Sequence, residues 1–457
     1  MKVLKFGGTS VGTVASLTNV KQIVENQDEP VIVVVSALGG VTDMLINAAR
    51  TAASGSNDWR PIYDKILSRH QDVVFGLVPE SRQEEVWEHV RLLLHRLRDF
   101  YRGVELVEDL SARVLCRIVS FGERLSSYIV SHIIEGAVHF DSLRFIKTEN
   151  WFGRNIAVTE LTNNLVRKEF ADFSGPVAIV PGFISTDRDN GDITNLGRGG
   201  SDYTAAIIAA ALDASMLEIW TDVDGFMTAD PRVIGSARVI PHLSFLESMD
   251  LCNFGAKVIY PPTIYPVFHK NIPIRILNTF HTDAPGTLIT DAHHVPVSQP
   301  FRGVSSISDV ALIEIVPAPG FTASALRTRT LNVLSKKGIE VLLSTTPVGD
   351  NDTIRFGIRG TALRQSEEAL REDMLGECEE GSRPRMTHTC NVSTVTLVGE
   401  NLKTDTGAAC RMLDVLVAAG MAPLADAPGD SGFAYTAVIP ADSLTKALAL
   451  LHTRFLE

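Results

Sequence analysis

The sequence has little cysteine and uses it without pattern. Five cysteines, Cys116, Cys252, Cys378, Cys390 and Cys410, are scattered and never spaced C-x-x-C, so neither a disulfide framework nor a zinc site is expected, and a reducing cytoplasm is the compartment that fits. None of the twelve histidines falls in an H-E-x-x-H or comparable spacing, which argues against a structural metal. Long apolar runs are missing too. The longest, around Val31 to Ala37 and Ala205 to Leu212, fall far short of the ~20 residues a membrane-spanning helix needs. Gly7 and Gly8 break the first apolar run before a signal-like segment forms, so no targeting sequence is expected at the start. Positive charge is in deficit, with 42 Lys and Arg against 54 Asp and Glu and a formal net charge of -12. The resulting field repels phosphate backbones and anionic lipid, so no nucleic-acid and no membrane partner is expected. Two phosphate-binding fingerprints are also absent: no G-x-x-x-x-G-K-[ST] occurs and no G-x-G-x-x-G follows a strand-like run.

What remains is an ordinary folded composition in a chain of 457 residues, 45% hydrophobic and 21% charged, which is too long for one core and predicts two or three domains. To about Asp291 short β-branched runs alternate with helical stretches, the pattern of a layered α/β/α domain. "VIVVVS" (Val31 to Ser36) is apolar on both faces, as an interior strand must be; "VAIVPGF", "SMLEIWTD" and "IPIRIL" read alike. Residues 58–136 are mainly helical by their Leu, Val and Ile period, and this block is expected to cover one end of the sheet. "DAHHVPVSQP" reads as a domain boundary. Beyond it a β-α-β-β-α set occurs twice, "DVALIEIV" to "ALRQSEEALREDML" and "NVSTVTLVG" to "ADSLTKALALLHTRFL", predicting two α+β units over 304–390 and 391–457 with strands open to exchange between them.

Several strands of the first domain end in glycine turns: "KFGGTS", "SALGGVTD", "PGF" and, leading straight into a helix, "LGRGGSDYTAAIIAAAL". Glycine lets backbone N–H groups approach a phosphate, and a helix start adds free N–H groups. Any one such turn is more often only a turn; their repetition at strand ends points to a shared anion-binding crevice. Lys5, just before the first turn, then sits where it can neutralise a phosphoryl group, or else is an edge lysine reaching to water. The other charged candidates carry the same double reading. Glu123 in "SFGERLSS" could lie on a helix surface, Arg198 could be a loop charge, and Asp202 could only complement a helix dipole. Thr221, Asp222 and Asp224 could form an Asp-Gly turn, and Lys257 could be a solvated helix lysine. "DRDNGD" (Asp187 to Asp192) imitates a calcium loop, but its glycine is fifth and no Glu completes it, so a hairpin tip is expected.

In order, "VLKFGGTSV", "SALGGVTD", "SFGERLSS", "PGFIS", "GRGGSDYTA", "WTDVDGFMTADPR" and "FGAKVIYPPT" resemble the motif set of aspartokinases in the amino-acid kinase superfamily. The resemblance covers about the first 290 residues, and the tail resembles that family's paired ACT domains. It implies a kinase domain over 1–291 that transfers the γ-phosphoryl group of ATP, brought with Mg2+, to the side-chain carboxylate of L-aspartate, opening lysine, threonine and methionine biosynthesis. Carried over residue by residue, the resemblance puts Lys5, Phe6, Gly7, Gly8 and Ser36 at the ATP phosphates, with Lys257 assisting and Thr221, Asp222, Met227 and Arg232 bordering the nucleotide. Several relatives have tyrosine in place of Met227. Thr42, Glu123, Arg198, Gly199, Ser201 and Asp202 would hold aspartate, with Arg198 clamping a carboxylate and Glu123 taking the α-ammonium, while Lys5, Asp202 and Lys257 would act in the transfer. The protein would supply no metal ligand of its own.

Ending at Glu457, the sequence carries the expectation of a form not fused to homoserine dehydrogenase. A homodimer built through the tail, with an amino-acid effector there, is also implied. Leu342 stands where lysine-inhibited relatives carry an aspartate, and Phe321 to Ile339 looks longer than usual by roughly one helical turn, which leaves the effector open. The alternatives are another kinase of the superfamily, acting on glutamate, acetylglutamate, carbamate or UMP, and a non-catalytic amino-acid sensor.

Overall fold

β-Branched runs become strands and the amphipathic stretches between them become helices. The computed structural model describes residues 1–151, 153–291, 301–346, 349, 352–375, 383–405 and 407–457; residues 292–300 of the expected boundary, and Cys378, lie outside them. Two compact units result, Met1–Phe226 with Val258–Asp291, and Met227–Lys257 with Ala292–Glu457. No helix among the described residues is long and apolar enough to cross a membrane.

The chain begins β1 (Lys2–Phe6), α1 (Val14–Glu25), β2 (Val31–Val35), α2 (Val41–Ala53), α3 (Trp59–Leu77), α4 (Glu80–Val107) and α5 (Ala112–Ile133). It continues with β3 (Ala137–His139), β4 (Lys147–Trp151), β5 (Arg154–Ala157), α6 (Thr159–Glu169), β6 (Val177–Pro181), β7 (Ile184–Asp187), β8 (Ile193–Asn195), α7 (Gly200–Ala211) and β9 (Met216–Thr221). Residues 227–257 add β10 (His242–Ser244) and α8 (Phe245–Asn253) to the second unit. Then α9 (Ile264–Phe268), β11 (Ile274–Asn278) and β12 (Thr287–Thr290) complete the first.

Within the first unit the main sheet runs β12-β11-β9-β1-β2-β6-β3. Only β12 is antiparallel to its neighbour there; the β1, β2, β6, β9, β11 and β3 pairings are parallel. Since β2 pairs on one side of β1 and β9 on the other, the strand order reverses at β1, and a crevice opens at the carboxyl ends there. The helical block does not cover the end of the sheet, as the sequence suggested. Leu4, Phe6, Val31, Val33, Val35, Val177 and Ile179 share one buried cluster with residues of α1 to α5, so the block packs on one face, because alternate strand residues point that way. A smaller sheet, β5-β4-β7-β8, is invisible in the sequence pattern. "DRDNGD" is the tip of its β7–β8 hairpin, with Asp187 Oδ1 accepting from the N–H groups of Asp189 and Asn190, both at 3.0 Å.

The second unit continues with β13 (Gly303–Val316), α10 (Ala323–Lys336), β14 (Val341–Ser344), β15 (Ile354–Arg359) and α11 (Leu363–Leu375). The repeat follows as β16 (Arg385–Val398), α12 (Ala408–Ala418), β17 (Ala425–Pro428), β18 (Ala434–Pro440) and α13 (Leu444–Leu456). All these strands form one sheet, β14-β15-β13-β16-β18-β17. Both repeats start later in the sequence reading than their strands do. β13 and β16 pair along nearly their whole length, and the register shifts between Ile307 and Leu312. There Asp309 (φ 57°) and Asn391 (φ 55°) adopt left-handed backbone, which Asp and Asn tolerate better than other side chains do. The kinks divide the strands: Val304 joins one core with Val395, Leu397 and α12 and α13, while Met386 packs against the other with Ile313, α10 and α11. Each repeat therefore receives half a strand from the other. Leu342 is half-buried against Leu343 and Ala425 in a third apolar cluster.

Candidate active site

Three glycine segments meet where the strand order reverses. The first turn follows β1, the second follows β2 at Ala37–Gly40, and the third enters α7. A cavity of about 300 Å³ among them is lined by Lys5, Gly8, Ser36, Thr42, Glu123, Arg198, Gly199, Ser201 and Asp202, and further by Ala37, Leu38, Gly39, Gly40, Phe183, Gly197 and Gly200. Another hollow of about 320 Å³, bordered by Asn19, Gln22, Trp220, Thr279 and Phe280, has no charged lining side chain. It therefore lacks the cations that phosphate or carboxylate binding needs.

The turns fit because they carry no Cβ. One added at Gly39 would lie 2.8 Å from the Gly8 carbonyl oxygen, so the first two turns touch backbone to backbone. Gly199 caps α7 at φ 67°, and a Cβ there would meet that of Tyr260 at 2.3 Å. Phe183 of "PGF" has φ 66°, a costly conformation for a bulky residue. Its N–H donates to Thr204 Oγ1 (3.0 Å) and its carbonyl accepts from the Leu196 N–H (2.9 Å), which hold the strained loop against the cavity.

Three buried ionisable groups, Lys5, Asp202 and Glu123, define the electrostatics. Lys5 Nζ lies 2.5 Å from Asp202 Oδ1, with both side chains nearly enclosed; the lysine is therefore held by a carboxylate at the mouth of α7 instead of reaching to water. Glu123 is 3% exposed. Its Oε1 accepts the Ala37 N–H at 3.2 Å, and its Oε2 is buried with no hydrogen-bond partner. Burial pushes its carboxyl up to about 8, against the lowering effect of that backbone bond. An unpartnered buried oxygen facing a cavity is a place for an incoming cation. Helix α5 delivers Glu123 by close packing: Ser126 Oγ donates to the Ser36 carbonyl at 2.7 Å, and a Cβ on Gly122 would meet Ala37 Cβ at 2.7 Å.

A model of the amino acid kinase family matches residues 1–278. The chain belongs to that family. Over 405 residues it is 30% identical to the aspartokinase of Chlamydia pneumoniae, with 88% of this chain and 86% of that one covered, which places it in the aspartokinase branch. Over 468 residues it is also 30% identical to a bifunctional aspartokinase/homoserine dehydrogenase of Haemophilus influenzae, with 99% of this chain and 56% of that protein covered. The chain thus spans about half the length of the bifunctional relatives it matches. Among solved structures, Escherichia coli aspartokinase III in complex with aspartate and ADP (R-state) superposes with a TM-score of 0.84 at 26% identity over the whole of both chains. The same protein with lysine and aspartate (T-state) gives 0.77. The fold is thus that of an aspartokinase, a catalytic domain followed by ACT-like regulatory units.

Against the aspartokinase expectations, the cavity gathers one group of residues and leaves another apart. Phe6 is fully buried, its ring stacked on Trp220 at 6.0 Å and its carbonyl accepting the Ser36 N–H at 3.2 Å, and it does not line the cavity. Gly7 donates its N–H to the Trp220 carbonyl at 3.3 Å. Thr221 and Asp222, joined side chain to side chain at 3.2 Å, end β9 and do not line the cavity. Met227, Arg232 and Lys257 belong to the second unit. There Met227 bridges Val239, exposed Arg232 pairs with Asp230 at 2.7 Å, and Lys257 is exposed. Sequence reasoning missed Leu38 and Phe183 as lining residues, although "ALGG" and "PGF" contain them.

Proposed function

We propose that this chain transfers the γ-phosphoryl group of MgATP to the side-chain carboxylate of L-aspartate, giving 4-phospho-L-aspartate. The observation that carries the reading is the convergence of the enclosed Lys5–Asp202 pair, the unpartnered Oε2 of Glu123 and Arg198 on one glycine-walled cavity. The relatives add support, since one is named aspartokinase and one was solved with aspartate and ADP.

The substrate side chain, with an ordinary pKa of about 3.9, is ionised at neutral pH, so its oxygen needs no general base. The task is to bring two anions together and hold them in line. Glu123, ionising as it receives the α-ammonium, fixes one end of aspartate; Arg198 takes the α-carboxylate as a fork. The reacting carboxylate then faces the Lys5 ammonium. Lys5, freed in part from Asp202 by the arriving phosphate, neutralises charge on the phosphoryl oxygens as the bond to ADP breaks. Asp202 keeps that ammonium oriented, and the Gly8, Gly39 and Gly40 backbones supply the cradle. Thr221 and Asp222, at the carboxyl end of β9 in the same unit, border the nucleotide.

Mg2+ would arrive with ATP, held mostly by phosphate oxygens and water. When bound it screens phosphate charge. The ACT-like units serve as an amino-acid effector site and as the interface of a homodimer in the cytoplasm. ADP release measured with aspartate, glutamate, acetylglutamate, carbamate or UMP as acceptor tests the reading. Turnover with aspartate alone is expected, and turnover with another acceptor in its place refutes it.

A further inference from the structure

Arg69 of α3 lies in the helical block and carries no sequence signal. Its Nη1 donates to the Gly39 carbonyl at 2.5 Å and its Nη2 to the Gly12 carbonyl at 2.8 Å. These acceptors belong to different turns, the second glycine turn and the close of the first. A guanidinium is a rigid planar fork that can hold two acceptors at a fixed separation, which a lysine ammonium cannot. Arg69 is half-buried and does not line the cavity.

The consequence follows from peptide geometry. Across a trans peptide the C=O of one residue and the N–H of the next point in opposite directions. Drawing the Gly39 carbonyl toward Arg69 turns the Gly40 N–H away from it, and Gly40 lines the cavity. Drawing the Gly12 carbonyl likewise sets the Thr13 N–H, which donates to Ser16 Oγ at 2.9 Å in the capping box that starts α1. The turns themselves leave little slack, because a Cβ on Gly12 would lie 3.1 Å from the Gly8 carbonyl oxygen. We infer that Arg69 is a positioning residue for phosphoryl transfer: it clips the two glycine turns together by their carbonyls, so that the cavity-lining backbones of Gly8 and Gly40 hold the spacing a polyphosphate requires, without touching either substrate. The inference rests on the kinase reading above.

Steady-state kinetics and ADP calorimetry on Arg69→Lys and Arg69→Ala test it. Both variants are expected to lose about tenfold or more in kcat/KM for ATP and in ADP affinity, with KM for aspartate nearly unchanged. Added guanidinium chloride, below denaturing concentration and against an equal ionic strength of NaCl, should restore part of the ATP efficiency of Arg69→Ala and none to wild type. Wild-type ATP efficiency in Arg69→Lys overturns the clip, as does an equal rise in both KM values with no response to guanidinium. If Arg69→Ala fails to fold, Arg69→Lys decides by the same ATP comparison at an unchanged melting temperature. ADP binding needs no acceptor. Weakened ADP binding in the variants alongside a wild type inert toward aspartate would therefore sink the proposed reaction and leave the clip standing.

Discussion

Aspartate binding should expel a proton, and Glu123 is its source. In the free protein the carboxyl is pushed up to about 8 by burial, so at pH 7 about nine-tenths of it is protonated. The α-ammonium of aspartate, arriving at the unpartnered Oε2, favours the ionised form. Binding at pH 7 should then release about 0.9 proton per aspartate, and affinity should rise about eightfold from pH 6.5 to 7.5, following the ionised fraction. Calorimetry in buffers of differing ionisation enthalpy reads the proton count as a slope, and the same titration on Glu123→Gln should give a slope near zero together with much weaker binding. A buffer-independent enthalpy in the wild type, or an undiminished slope in Glu123→Gln, would refute the placement of the ammonium.

The same carboxyl makes a second prediction. Because its pKa in the folded state, about 8, lies above the ordinary 4.5, its contribution to stability is complete below about pH 4.5 and is lost as pH rises through 8. The ligand-free melting temperature should therefore fall less steeply with pH in Glu123→Gln than in wild type, and parallel curves would show that the residue is ionised already. Lys5→Ala should lower kcat by at least two factors of ten, each about 1.4 kcal/mol, with little change in KM for aspartate; near wild-type kcat removes Lys5 from the transfer. Gly39→Ala should cost on the order of 1–3 kcal/mol of stability by overpacking and weaken ADP binding, since its Cβ would stand 2.8 Å from the Gly8 oxygen; an unperturbed melt and ADP isotherm would show that the turns yield. Through the tail, sedimentation should report a dimer, and lysine, threonine or methionine should bind with an affinity that aspartate changes by the factor each changes aspartate's. A monomer that binds none of them removes the regulatory role.

Local chemistry was legible in the sequence, and long-range backbone contacts were not. Glycines at strand ends, the "VIVVVS" strand and the charged residues beside them announce a phosphate crevice because each signal lies within a few residues. Lys5, Glu123 and Asp202 could be named, but not their burial, which depends on α5 and α7 arriving from over a hundred residues away. Arg69 was unreadable because its partners are carbonyls, which every residue has, and an arginine in a helix otherwise reads as solvated. In the tail the doubled pattern was visible. Exchange of strands between the units was left open by the pattern, but the points where they divide, at the kinks of Asp309 and Asn391, were hidden, and β17, "ADAP", has neither β-branched residues nor clear alternation. The helical block was placed at the sheet's end rather than on its face because its own periodicity fixes which side is buried, not what buries it.

Trapping the product tests the central claim most directly. With MgATP and L-aspartate, hydroxylamine should convert the acyl phosphate to aspartyl hydroxamate in step with ADP release, and both rates should fall about a hundredfold or more in Lys5→Ala. ADP formed without hydroxamate, or hydroxamate formed equally well from another acceptor, would contradict the account.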